Sequence, residues 1–557
     1  MTSECLAVVP VFVNVGAALL PAILAAAASV LSLLFRPMEL WRACRSRPRT
    51  AIAVVVGAVS VSVGAVWLCA PGTAPALRRV PTGSGNAALQ RAAGLGIDWA
   101  AVARDWLRQE ELAAIAPAMP SAAPQPAAKP TVATIFGGGP LRNGYLGGGS
   151  PLGLRNAWEF PVAGSRAAHT LEGAMFLSSP AVVGDAVFAA SCQLDLQGNV
   201  GAVVCLDATT GQLRWMTTSF KDSAGQTCEL KGFFSSPAVT ADGRRVVIGQ
   251  GLHNDENCEL LCFDARDGQL RWRLPTPLHI ESSPAIEGDL TIAGAGAVEV
   301  GDDRQPKSHP GLVLAVRIST GQKVWEYQVN DPESPPVMAD GAVYIGSGFH
   351  GSAVVALRTQ SDEELRQQGL DRLLWRAATP HPATGAITLA GELVIVACGN
   401  GDYVYADPHP AGAVLALDRK TGRVLWQLMM ADGVLGKIAV ADGKAVVPVR
   451  NGEVVCLDLA PSASNRVLWR QRVHGEKAVL AGPAFTGRCV YAVTQDGQLV
   501  VLDAADGRPL ERHALNATSR PGEMGLSLSS PMVALGRVFV GSETGGLRCF
   551  VGKELRP

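Results

Sequence analysis

The sequence carries little charge, and the charge that it carries is balanced. Charged residues make up 17% of the 557 positions, with 48 Lys and Arg against 49 Asp and Glu, so the formal net charge is −1. Domains that bind nucleic acid concentrate positive charge on one face, and this sequence has no basic patch interleaved with aromatic residues. The low charge therefore excludes nucleic acid from the predicted partners.

Four short motifs that accompany catalytic or redox centres are also missing. The sequence has no adjacent Cys-Cys pair, no Asp-x-Asp-x-Asp-Gly calcium loop, no Cys-x-x-Cys-His haem attachment and no Gly-x-Ser-x-Gly nucleophile turn. Each of these motifs places ligands or a nucleophile at a spacing that its chemistry requires. Their absence predicts a protein that is not an enzyme.

Charge is absent altogether from two long runs near the N-terminus. Leu6–Phe35 has no charged residue over 30 positions and Ala51–Ala70 has none over 20, and each is long enough to cross a bilayer core of about 30 Å as a helix. Residues 36–49 between them carry five Arg and one Glu, and the positive-inside rule assigns such a loop to the cytoplasm. We therefore predict two transmembrane helices in residues 1–70, with a basic cytoplasmic loop at 36–50. The protein is then a multi-pass inner-membrane protein with its remainder in the periplasm.

The second apolar run has an alternative interpretation. Residues 45–70 also have the basic start and apolar core of a cleaved signal, which is the alternative to a second span.

The composition of residues 71–134 predicts a stalk. Within it, residues 87–116 have the pattern of an amphipathic juxtamembrane helix, and the Ala- and Pro-rich residues 117–130 predict an extended tether.

From Trp158 onward the sequence repeats one pattern: a small-residue opening, apolar runs, an Asp-x-x-Thr-Gly turn and a Trp. The clearest copies of the turn are Asp207–Trp215, Asp264–Trp272 and Asp418–Trp426. The Trp residues at 215, 272, 325, 375, 426 and 469 follow one another by 43 to 57 residues, which is close to the period of a four-stranded propeller blade. We expect each Asp to accept backbone hydrogen bonds in its turn, and each Trp to pack between adjacent blades.

Eight openings can be counted independently of the Trp residues, and they predict eight blades. The last blade runs out of sequence one strand early, whereas Trp158–Phe160 has the pattern of a final strand with no blade before it. We therefore predict an all-β, eight-bladed propeller over residues 135–557, closed by pairing of the strand at Trp158 with residues 537–550, because closure removes unpaired sheet edges. The openings are Ser178-Ser-Pro180, Ser235-Ser-Pro237, Ser282-Ser-Pro284, Ser334-Pro-Pro336, Thr384-Gly-Ala386, Gly436-Lys-Ile438, Ala481-Gly-Pro483 and Ser529-Ser-Pro531.

The blade pattern is similar to that of the PQQ-like, or quinoprotein-like, propeller family. Blades of that family carry Ser-Pro-Ala-Val and then Leu-Asp-x-x-Thr-Gly-x-x-x-Trp, and the lead-in Phe136–Gly144 followed by Trp158 resembles the segment that starts many bacterial members. The resemblance covers residues 135–555. It implies the fold but leaves the function open, because the family includes alcohol dehydrogenases, a BamB-type outer-membrane assembly lipoprotein and sensor ectodomains.

The same resemblance bears on cofactors. Dehydrogenases of this family stack their quinone on a disulfide between adjacent cysteines and hold Ca²⁺ with carboxylate and amide ligands, and this sequence has neither signature. No cofactor is therefore predicted, and PQQ is not expected despite the repeat. A quinone- or metal-dependent oxidoreductase is the alternative to a non-catalytic protein.

Cysteine is used in two ways. Cys192, Cys228 and Cys258 fall outside the repeat, in insertions around the first two blades, and two of them are candidates for a disulfide whose pairing the sequence does not specify. The other group shares one repeat position just before the Asp turn, and this regularity predicts core packing. That group consists of Cys205, Cys262, Cys456 and Cys549.

The repeat departs from regularity on one face of the predicted ring. With four antiparallel strands in each blade, the loop between strands two and three emerges on the same face as the connection to the next blade. This loop is a tight turn in blades six to eight but longer in four others, and binding sites usually lie in such loops on a rigid scaffold. The longer loops are Gln193–Val200, Leu252–Asn257, Ala297–Pro310 and Asn400–Pro410.

Two groups of polar side chains on that face are candidate sites. The first has the residue types of a metal site, with a hydrogen-bonded loop cluster as the alternative, because no tight Cys-x-x-Cys or His-x-x-x-His spacing occurs. The second is a polar-aromatic loop suited to a protein or glycan partner, with a solvated surface loop as the alternative. The metal candidates are His253, Asp255, Cys258, His279 and Glu281, and the partner-binding candidates are Asp402, Tyr403, Tyr405, Asp407 and His409.

Together these patterns predict a membrane-anchored, extracytoplasmic propeller that acts as a non-catalytic protein-binding or assembly scaffold of the cell envelope. Its predicted partners are the membrane, through two N-terminal helices, and an envelope protein on the face with the long loops. The sensing ectodomain of a signalling system is a further alternative. It is disfavoured because the predicted cytoplasmic part is only the short Arg-rich loop.

Overall fold

The computed structural model describes residues 134–555, except 196–197, 253–254, 297–310, 350, 519–521 and 523. The predicted apolar helices, basic loop, juxtamembrane helix and tether therefore lie outside the described residues, as do His253 and the long loop at 297–310. Within the part of the chain that the structure describes, no helix is long and apolar enough to cross a membrane.

Eight antiparallel sheets of four strands each confirm the predicted all-β, eight-bladed propeller. In blades 1 to 7 the four strands follow one another along the chain, from the innermost strand at the axis to the outermost strand at the rim. The second and third strands are rich in Val, Leu, Ile and Ala and are almost wholly buried, because neighbouring blades cover both of their faces.

The strands are numbered in chain order, and each blade is given from axis to rim. Blade 1 consists of β2 (Ala181–Val183), β3 (Ala186–Asp195), β4 (Gly198–Asp207) and β5 (Leu213–Thr217). Blade 2 consists of β8 (Ala238–Val239), β9 (Arg245–Gly249), β10 (Cys258–Asp264) and β11 (Leu270–Thr276). Blade 3 consists of β12 (Ala285–Glu287), β13 (Leu290–Ala295), β14 (Leu312–Arg317) and β15 (Lys323–Gln328). Blade 4 consists of β16 (Val337–Ala339), β17 (Ala342–Ser347), β18 (Ala353–Arg358) and β19 (Leu373–Ala378).

The second half of the ring has the same composition. Blade 5 consists of β20 (Thr388–Ala390), β21 (Leu393–Gly399), β22 (Gly412–Asp418) and β23 (Val424–Met430). Blade 6 consists of β24 (Ala439–Ala441), β25 (Lys444–Pro448), β26 (Glu453–Asp458) and β27 (Val467–Arg472). Blade 7 consists of β28 (Ala484–Phe485), β29 (Cys489–Val493), β30 (Gln498–Asp503) and β31 (Pro509–Ala514). Blade 8 consists of β32 (Met532–Ala534), β33 (Arg537–Gly541), β34 (Leu547–Leu555) and β1 (Ser150–Phe160).

Blade 8 is built from the two ends of the described chain. β1 pairs antiparallel with β34, and the register sets Trp158 opposite Cys549 and Phe160 opposite Leu547. β34 in turn pairs with β33, so β1 supplies the fourth strand of this blade. The pairing joins the first and last parts of the ring, and no blade is left incomplete.

The Trp and Gly of the repeat meet between neighbouring blades, which confirms the predicted packing role of Trp. The indole N–H of Trp215 donates to the Ala265 carbonyl of the next blade at 3.0 Å. A Cβ on Gly268, whose φ is +70°, would collide with the Trp215 ring. Glycine is therefore needed at this turn both for its backbone conformation and for the space under the indole. The indoles of Trp158, Trp272, Trp325, Trp375 and Trp469 also donate to a carbonyl of the next blade.

The Asp residue of the repeat organises its own turn, as the sequence predicts. The Asp207 Oδ1 atom accepts the N–H groups of Thr209 and Thr210 at 3.0 and 2.9 Å, and Asp418 accepts the N–H of Thr421 at 2.9 Å. Burial opposes ionisation of Asp207, but hydrogen bonds from Arg214 and from the turn outweigh it and lower the pKa of this carboxyl to about 2.

The described cysteines are all free thiols. Cys192, Cys228 and Cys258 therefore form no disulfide with one another, and burial raises the pKa of Cys192 and of Cys258 to about 12. The cysteines at the repeat position are buried, and each pairs in register with the Trp of the fourth strand of its own blade, which confirms core packing. These pairs are Cys205 with Trp215, Cys262 with Trp272, Cys456 with Trp469 and Cys549 with Trp158.

Four short elements decorate the propeller. Helix α1 (Arg166–Thr170) lies between β1 and β2, and a small hairpin of β6 (Ser219–Lys221) and β7 (Thr227–Glu229) follows blade 1. Helix α2 (Asp362–Gln368) extends the connection from β18 to β19, and it begins with a capping box formed by Ser361 and Glu364.

Candidate functional site

Each blade begins with the same two axial positions, and these form two stacked rings around one cavity. The second residue of each opening belongs to the lower ring. The residue two positions earlier belongs to the upper ring, nearer the loop face, because alternate residues of an extended segment point to the same side. Both rings line the axial cavity, which has a volume of about 80 Å³. The lower ring is Ser179, Ser236, Ser283, Pro335, Ala386, Lys437, Gly482 and Ser530, and the upper ring is Leu177, Phe234, Glu281, Glu333, Thr384, Leu435, Leu480 and Leu528.

The fifth opening is displaced by one residue from its predicted place. β20 begins at Thr388, which pairs with Ile395, so Gly385-Ala386-Ile387 takes the place that Ser-Ser-Pro takes in blade 1. The predicted opening, Thr384-Gly-Ala386, was therefore wrong by one position. This segment has neither the serine nor the proline that would mark the register in the sequence.

In blades 2, 3 and 4 the first serine of the opening ties its blade to the next one. The hydroxyl of Ser235 donates to the Ser282 carbonyl at 3.2 Å, and the hydroxyl of Ser282 donates to the Ser334 carbonyl at 3.1 Å. Ser334 continues this pattern to the Gly385 carbonyl at 2.8 Å. These hydroxyls are fully buried, and the bonds satisfy them without water.

The second serine, in the lower ring, has the opposite role. Its hydroxyl oxygen accepts a backbone N–H from the opening of the preceding blade. The N–H of Ser530 donates to the Ser179 hydroxyl at 2.8 Å, the N–H of Ser179 to the Ser236 hydroxyl at 2.9 Å, and the N–H of Ser236 to the Ser283 hydroxyl at 2.9 Å. The Gly482 N–H donates to the Ser530 hydroxyl at 3.0 Å. Four contiguous blades, 8, 1, 2 and 3, therefore present serine hydroxyl groups to the axial cavity.

Lys437 takes the place of the lower-ring serine in blade 6. Its side chain is 1% exposed, and its ammonium donates to the Arg142 carbonyl at 2.8 Å and to the Pro483 carbonyl. A Cβ on the neighbouring Gly482 would collide with the Lys437 side chain, so glycine in blade 7 makes room for lysine in blade 6. Burial is the larger cause and the charge of Arg142 is the smaller cause of a pKa of Lys437 that lies well below its ordinary value.

Arg142, in the lead-in segment, is the second fully buried cation at the axis. Its guanidinium donates to the carbonyl of Ile387 at 3.1 Å and to those of Phe136, Pro335 and Pro336. Burial lowers the pKa of Arg142 to about 9. Every acceptor of this guanidinium is a backbone carbonyl, so its charge is solvated by peptide dipoles rather than by a carboxylate.

The lead-in segment itself seals the end of the axis away from the loop face. The innermost strand of a blade has no neighbour on its axial side, so its N–H groups there need acceptors. Carbonyls of the lead-in supply them: Pro140 accepts from Leu389 at 2.9 Å and Leu141 from Val440 at 3.0 Å. Further bonds of this kind join Thr134 to Val239, Asn143 to Phe485 and Gly144 to Val533.

Tyr403 reaches over the opposite end of the cavity. Its hydroxyl donates to the Leu435 carbonyl at 3.0 Å, and its ring lies 5.8 Å from that of Phe234. Leu435 precedes blade 6 and Phe234 precedes blade 2, so the side chain spans the axis between opposite blades. Burial raises the pKa of Tyr403. This predicted partner-binding residue therefore lines the axial cavity instead of the outer surface.

The rest of the loop at 400–410 is held in one conformation. The Asp402 carboxylate accepts the N–H of Val404 at 2.7 Å and that of Tyr405, and the Arg450 guanidinium donates to the Asp402 carbonyl at 3.1 Å. At the base, the Asn400 side chain bonds to the backbone of His409 and of Ala411, each at 2.7 Å.

The tip of this loop is exposed. Tyr405 is 68% exposed and Val404 is 57% exposed, and His409 also lies at the surface. The Asp407 carboxylate accepts the His409 N–H at 2.8 Å, so it caps a turn. The loop therefore presents an aromatic and an aliphatic side chain on a turn that its own polar residues have already formed.

The predicted metal candidates do not form a ligand group among the described residues. The Asp255 carboxylate accepts the Leu252 N–H at 2.8 Å, and the Cys258 thiol lies 3.7 Å from the Lys231 ammonium. The buried His279 bonds through Nε2 to Glu333 at 2.7 Å, whereas Glu281 lines the axial cavity. In the described ranges, no three His, Cys, Asp or Glu side chains are grouped as metal ligands would be. His253 lies outside those ranges, so the full set of five stays a prediction.

Three axial residues were missed by the sequence interpretation: Arg142, Glu333 and Lys437. A signal for two of them was available, because aligning the eight openings places Lys437 where serine recurs and Glu333 at the same position as Glu281. The signal is weak, because one lysine and two glutamates among eight aligned openings do not by themselves mark a site. Arg142 had no such signal, since it lies before the repeat begins.

Comparisons with known proteins agree with this architecture. The family model described as outer membrane protein assembly factor BamB, a PQQ-like family, matches residues 155–408 and 410–554. The outer membrane protein assembly factor BamB of Yersinia pestis is 24% identical over 384 residues, which are 67% of this chain and 83% of that protein. The protein of the same name from Burkholderia pseudomallei is 24% identical over 387 residues, covering 68% of this chain and 85% of the relative.

A solved structure of an enzyme shares the fold. A europium-containing methanol dehydrogenase superposes with a TM-score of 0.53 at 15% sequence identity, covering 75% of this chain and 91% of that one. At this identity the likeness shows the propeller fold alone.

Proposed function

We propose that this chain, which belongs to the outer membrane protein assembly factor BamB family of PQQ-like propellers, is a non-catalytic protein-binding scaffold of the bacterial envelope. Its relatives are named as assembly factors for outer membrane proteins, and we extend that class of partner to this chain. The propeller then serves as a rigid platform for a polypeptide of the machinery that inserts outer membrane proteins.

The loop at 400–410 carries this proposal. Binding is dominated by a few aromatic and aliphatic side chains that are already held in position before the partner arrives. Tyr405 has this property, because Asp402 fixes the backbone on which it stands and Arg450 ties Asp402 to blade 6. In the free protein the Tyr405 ring is left 68% exposed, and its burial by a partner would be favourable.

Anchoring to the inner membrane is a second part of the proposal. It rests on the two uncharged runs, Leu6–Phe35 and Ala51–Ala70, and on the Arg-rich stretch between them. A reporter enzyme fused after Pro557 should be active only on the periplasmic side. Activity confined to the cytoplasm would contradict this topology.

The docking loop is tested by a photo-crosslinking amino acid placed at position 405 in the full chain in intact cells. We expect a defined crosslinked product with a protein of the outer membrane assembly machinery, and we expect excess unlabelled chain to compete it away. The same probe at position 162 is the control, because Val162 lies outside the loop but is 57% exposed, as Val404 is. Equal products from both positions, or none from position 405, would refute the assignment of the loop.

A substitution gives an independent measurement. Val404→Asp places a charge beside Tyr405, and we expect it to weaken partner capture by about tenfold, whereas Val162→Asp should leave capture unchanged. Neither residue is buried, so both variants should unfold at the wild-type temperature.

A further inference from the structure

The axial cavity has the size of a small-molecule site. Eight blades surround it, the lead-in segment with Phe136 lies at one end, and Tyr403 spans the other. Since one water needs roughly 10–15 Å³ of such volume, the 80 Å³ of the cavity accommodates about half a dozen non-hydrogen atoms. The cavity therefore has room for a small organic molecule.

The lower ring faces this cavity with hydrogen-bond donors. The hydroxyl oxygens of Ser179, Ser236, Ser283 and Ser530 each accept a backbone N–H, and a serine hydroxyl that accepts one bond still has its own hydrogen to donate. All four side chains are at least 95% buried, so bulk water does not take up these hydrogens. Four donors on contiguous blades therefore line one arc of the cavity, and hydrogen-bond donors are the groups that an anion needs.

A lysine lines the same cavity. The Lys437 ammonium donates to two carbonyls, one of them that of Arg142. Its side chain packs against Gly482 of blade 7, whose N–H donates to the hydroxyl of Ser530 at the start of the serine arc. Neither cation forms an ion pair with a carboxylate in the described part of the chain, so an anion in the cavity would compensate charge that burial now disfavours.

The upper ring limits the shape of the occupant. Its residues stand about 7 Å above the lower ring, since two residues of extended chain span that distance. The four upper-ring leucines, at 177, 435, 480 and 528, offer an apolar wall. An aliphatic group of two or three carbons fits that wall.

We propose that the axial cavity is a binding site for a small aliphatic monocarboxylate, with its carboxylate among the lower-ring serines and Lys437 and its alkyl end against the upper-ring leucines. Tyr403 of the loop at 400–410 borders this site, whereas Tyr405, on which the docking proposal rests, does not line it. This site does not depend on the proposed scaffold function, and the two can fail independently.

The test is calorimetric titration of the full chain, purified in a non-ionic detergent and a carboxylate-free buffer, with acetate and with propionate. We expect one saturable site with a Kd on the order of 1 mM, since so few atoms supply limited affinity. Inorganic phosphate, which has no alkyl group to pack against the upper-ring leucines, should bind at least tenfold more weakly. Absence of saturable acetate and propionate binding by the wild-type chain would overturn the proposal, as would equal affinity for phosphate.

Adjacent serines provide a matched pair of variants. Ser236→Ala removes a hydroxyl that faces the cavity, and we expect it to weaken binding by about tenfold or more. Ser235→Ala removes an equally buried hydroxyl that bonds to the Ser282 carbonyl, and it should leave the Kd unchanged. Equal weakening by the two variants would assign the effect to the fold and refute the site. Lys437→Met is the second variant, and retention of wild-type affinity in it would likewise refute the site.

Discussion

The inter-blade layer that contains the Trp residues and the lower ring at the axis are both products of the same repeat, yet they differ in how strictly they follow it. In the Trp layer, five further indoles repeat the bond that Trp215 makes to the next blade. In the lower ring, the same backbone position holds serine in four blades and Pro335, Ala386, Lys437 or Gly482 in the others. Uniform side chains indicate packing, and varied side chains on a uniform backbone indicate a site.

The Trp layer should respond most strongly to substitution. Trp215→Ala empties a position that is 8% exposed and removes the bond to the Ala265 carbonyl, so we expect a loss of about 3–5 kcal/mol in the free energy of unfolding. Urea unfolding followed by tryptophan fluorescence or circular dichroism measures this loss.

Trp426 is the internal control for that prediction. It occupies the same repeat position but is only half-buried, under the Arg466 guanidinium at 4.4 Å. Trp426→Ala should therefore cost less than Trp215→Ala. Equal losses would show that position in the repeat, and not burial, determines the contribution of each Trp.

Two turn glycines allow the cost of steric crowding to be distinguished from the cost of a left-handed backbone conformation. Gly268→Ala would force a Cβ against the Trp215 ring at a φ of +70°, and we expect a loss of about 2–4 kcal/mol from crowding and from the left-handed backbone together. Gly288 has a φ of +59° with no atom within 4 Å of an added Cβ, so Gly288→Ala should cost only about 1–2 kcal/mol.

Thermal unfolding of the two glycine variants measures the difference. If both lose the same stability, the Trp ring moves aside at no cost, and the Trp layer is less rigid than its geometry indicates.

At the axis, Lys437 should make the stability depend on pH. Because burial and Arg142 lower its pKa below the ordinary value of 10.5, the folded protein holds this proton less tightly than the unfolded chain does. Below the pKa of Lys437 in the folded protein, the buried charge lowers the free energy of unfolding. This loss is recovered as the pH rises from that pKa towards 10.5, the ordinary value for lysine. We expect Lys437→Met to be more stable than the wild type near neutral pH, and we expect this advantage to shrink by at most about 1.4 kcal/mol per pH unit.

Urea unfolding of the wild type and of Lys437→Met at several pH values measures how the difference in their free energies of unfolding changes with pH. Lys420 is the control, because its side chain is 78% exposed and Lys420→Met should show no such dependence. An advantage of Lys437→Met that stays constant with pH would show that the lysine keeps its ordinary pKa at the axis.

Much of the fold could be predicted from the sequence, because its regular features are local or periodic. The Asp207 turn uses residues two and three positions apart, and the Trp spacing reports the blade period directly. The one-residue error at Thr384 arose where serine and proline were missing, since only strand pairing sets the register there.

The candidate site was less predictable, because it depends on contacts between distant segments. Arg142 and Lys437 are 295 positions apart and meet only when the ring closes. Tyr403 and Tyr405 have the same residue type in the same loop, and no local pattern tells which of them turns to the axis. Only the folded loop, with Asp402 as its cap, separates their roles.

The smallest expected effect distinguishes these two tyrosines. Tyr403→Phe removes the hydrogen bond to the Leu435 carbonyl and should lower the free energy of unfolding by about 1 kcal/mol, whereas Tyr405→Phe should change it by less than about 0.5 kcal/mol. Partner capture should show the reverse order when each tyrosine is replaced by alanine, with the larger loss at Tyr405. A larger loss of capture for the Tyr403→Ala variant would mean that the partner contacts the axial cavity at this side chain, and that the cavity and the docking loop form one binding site.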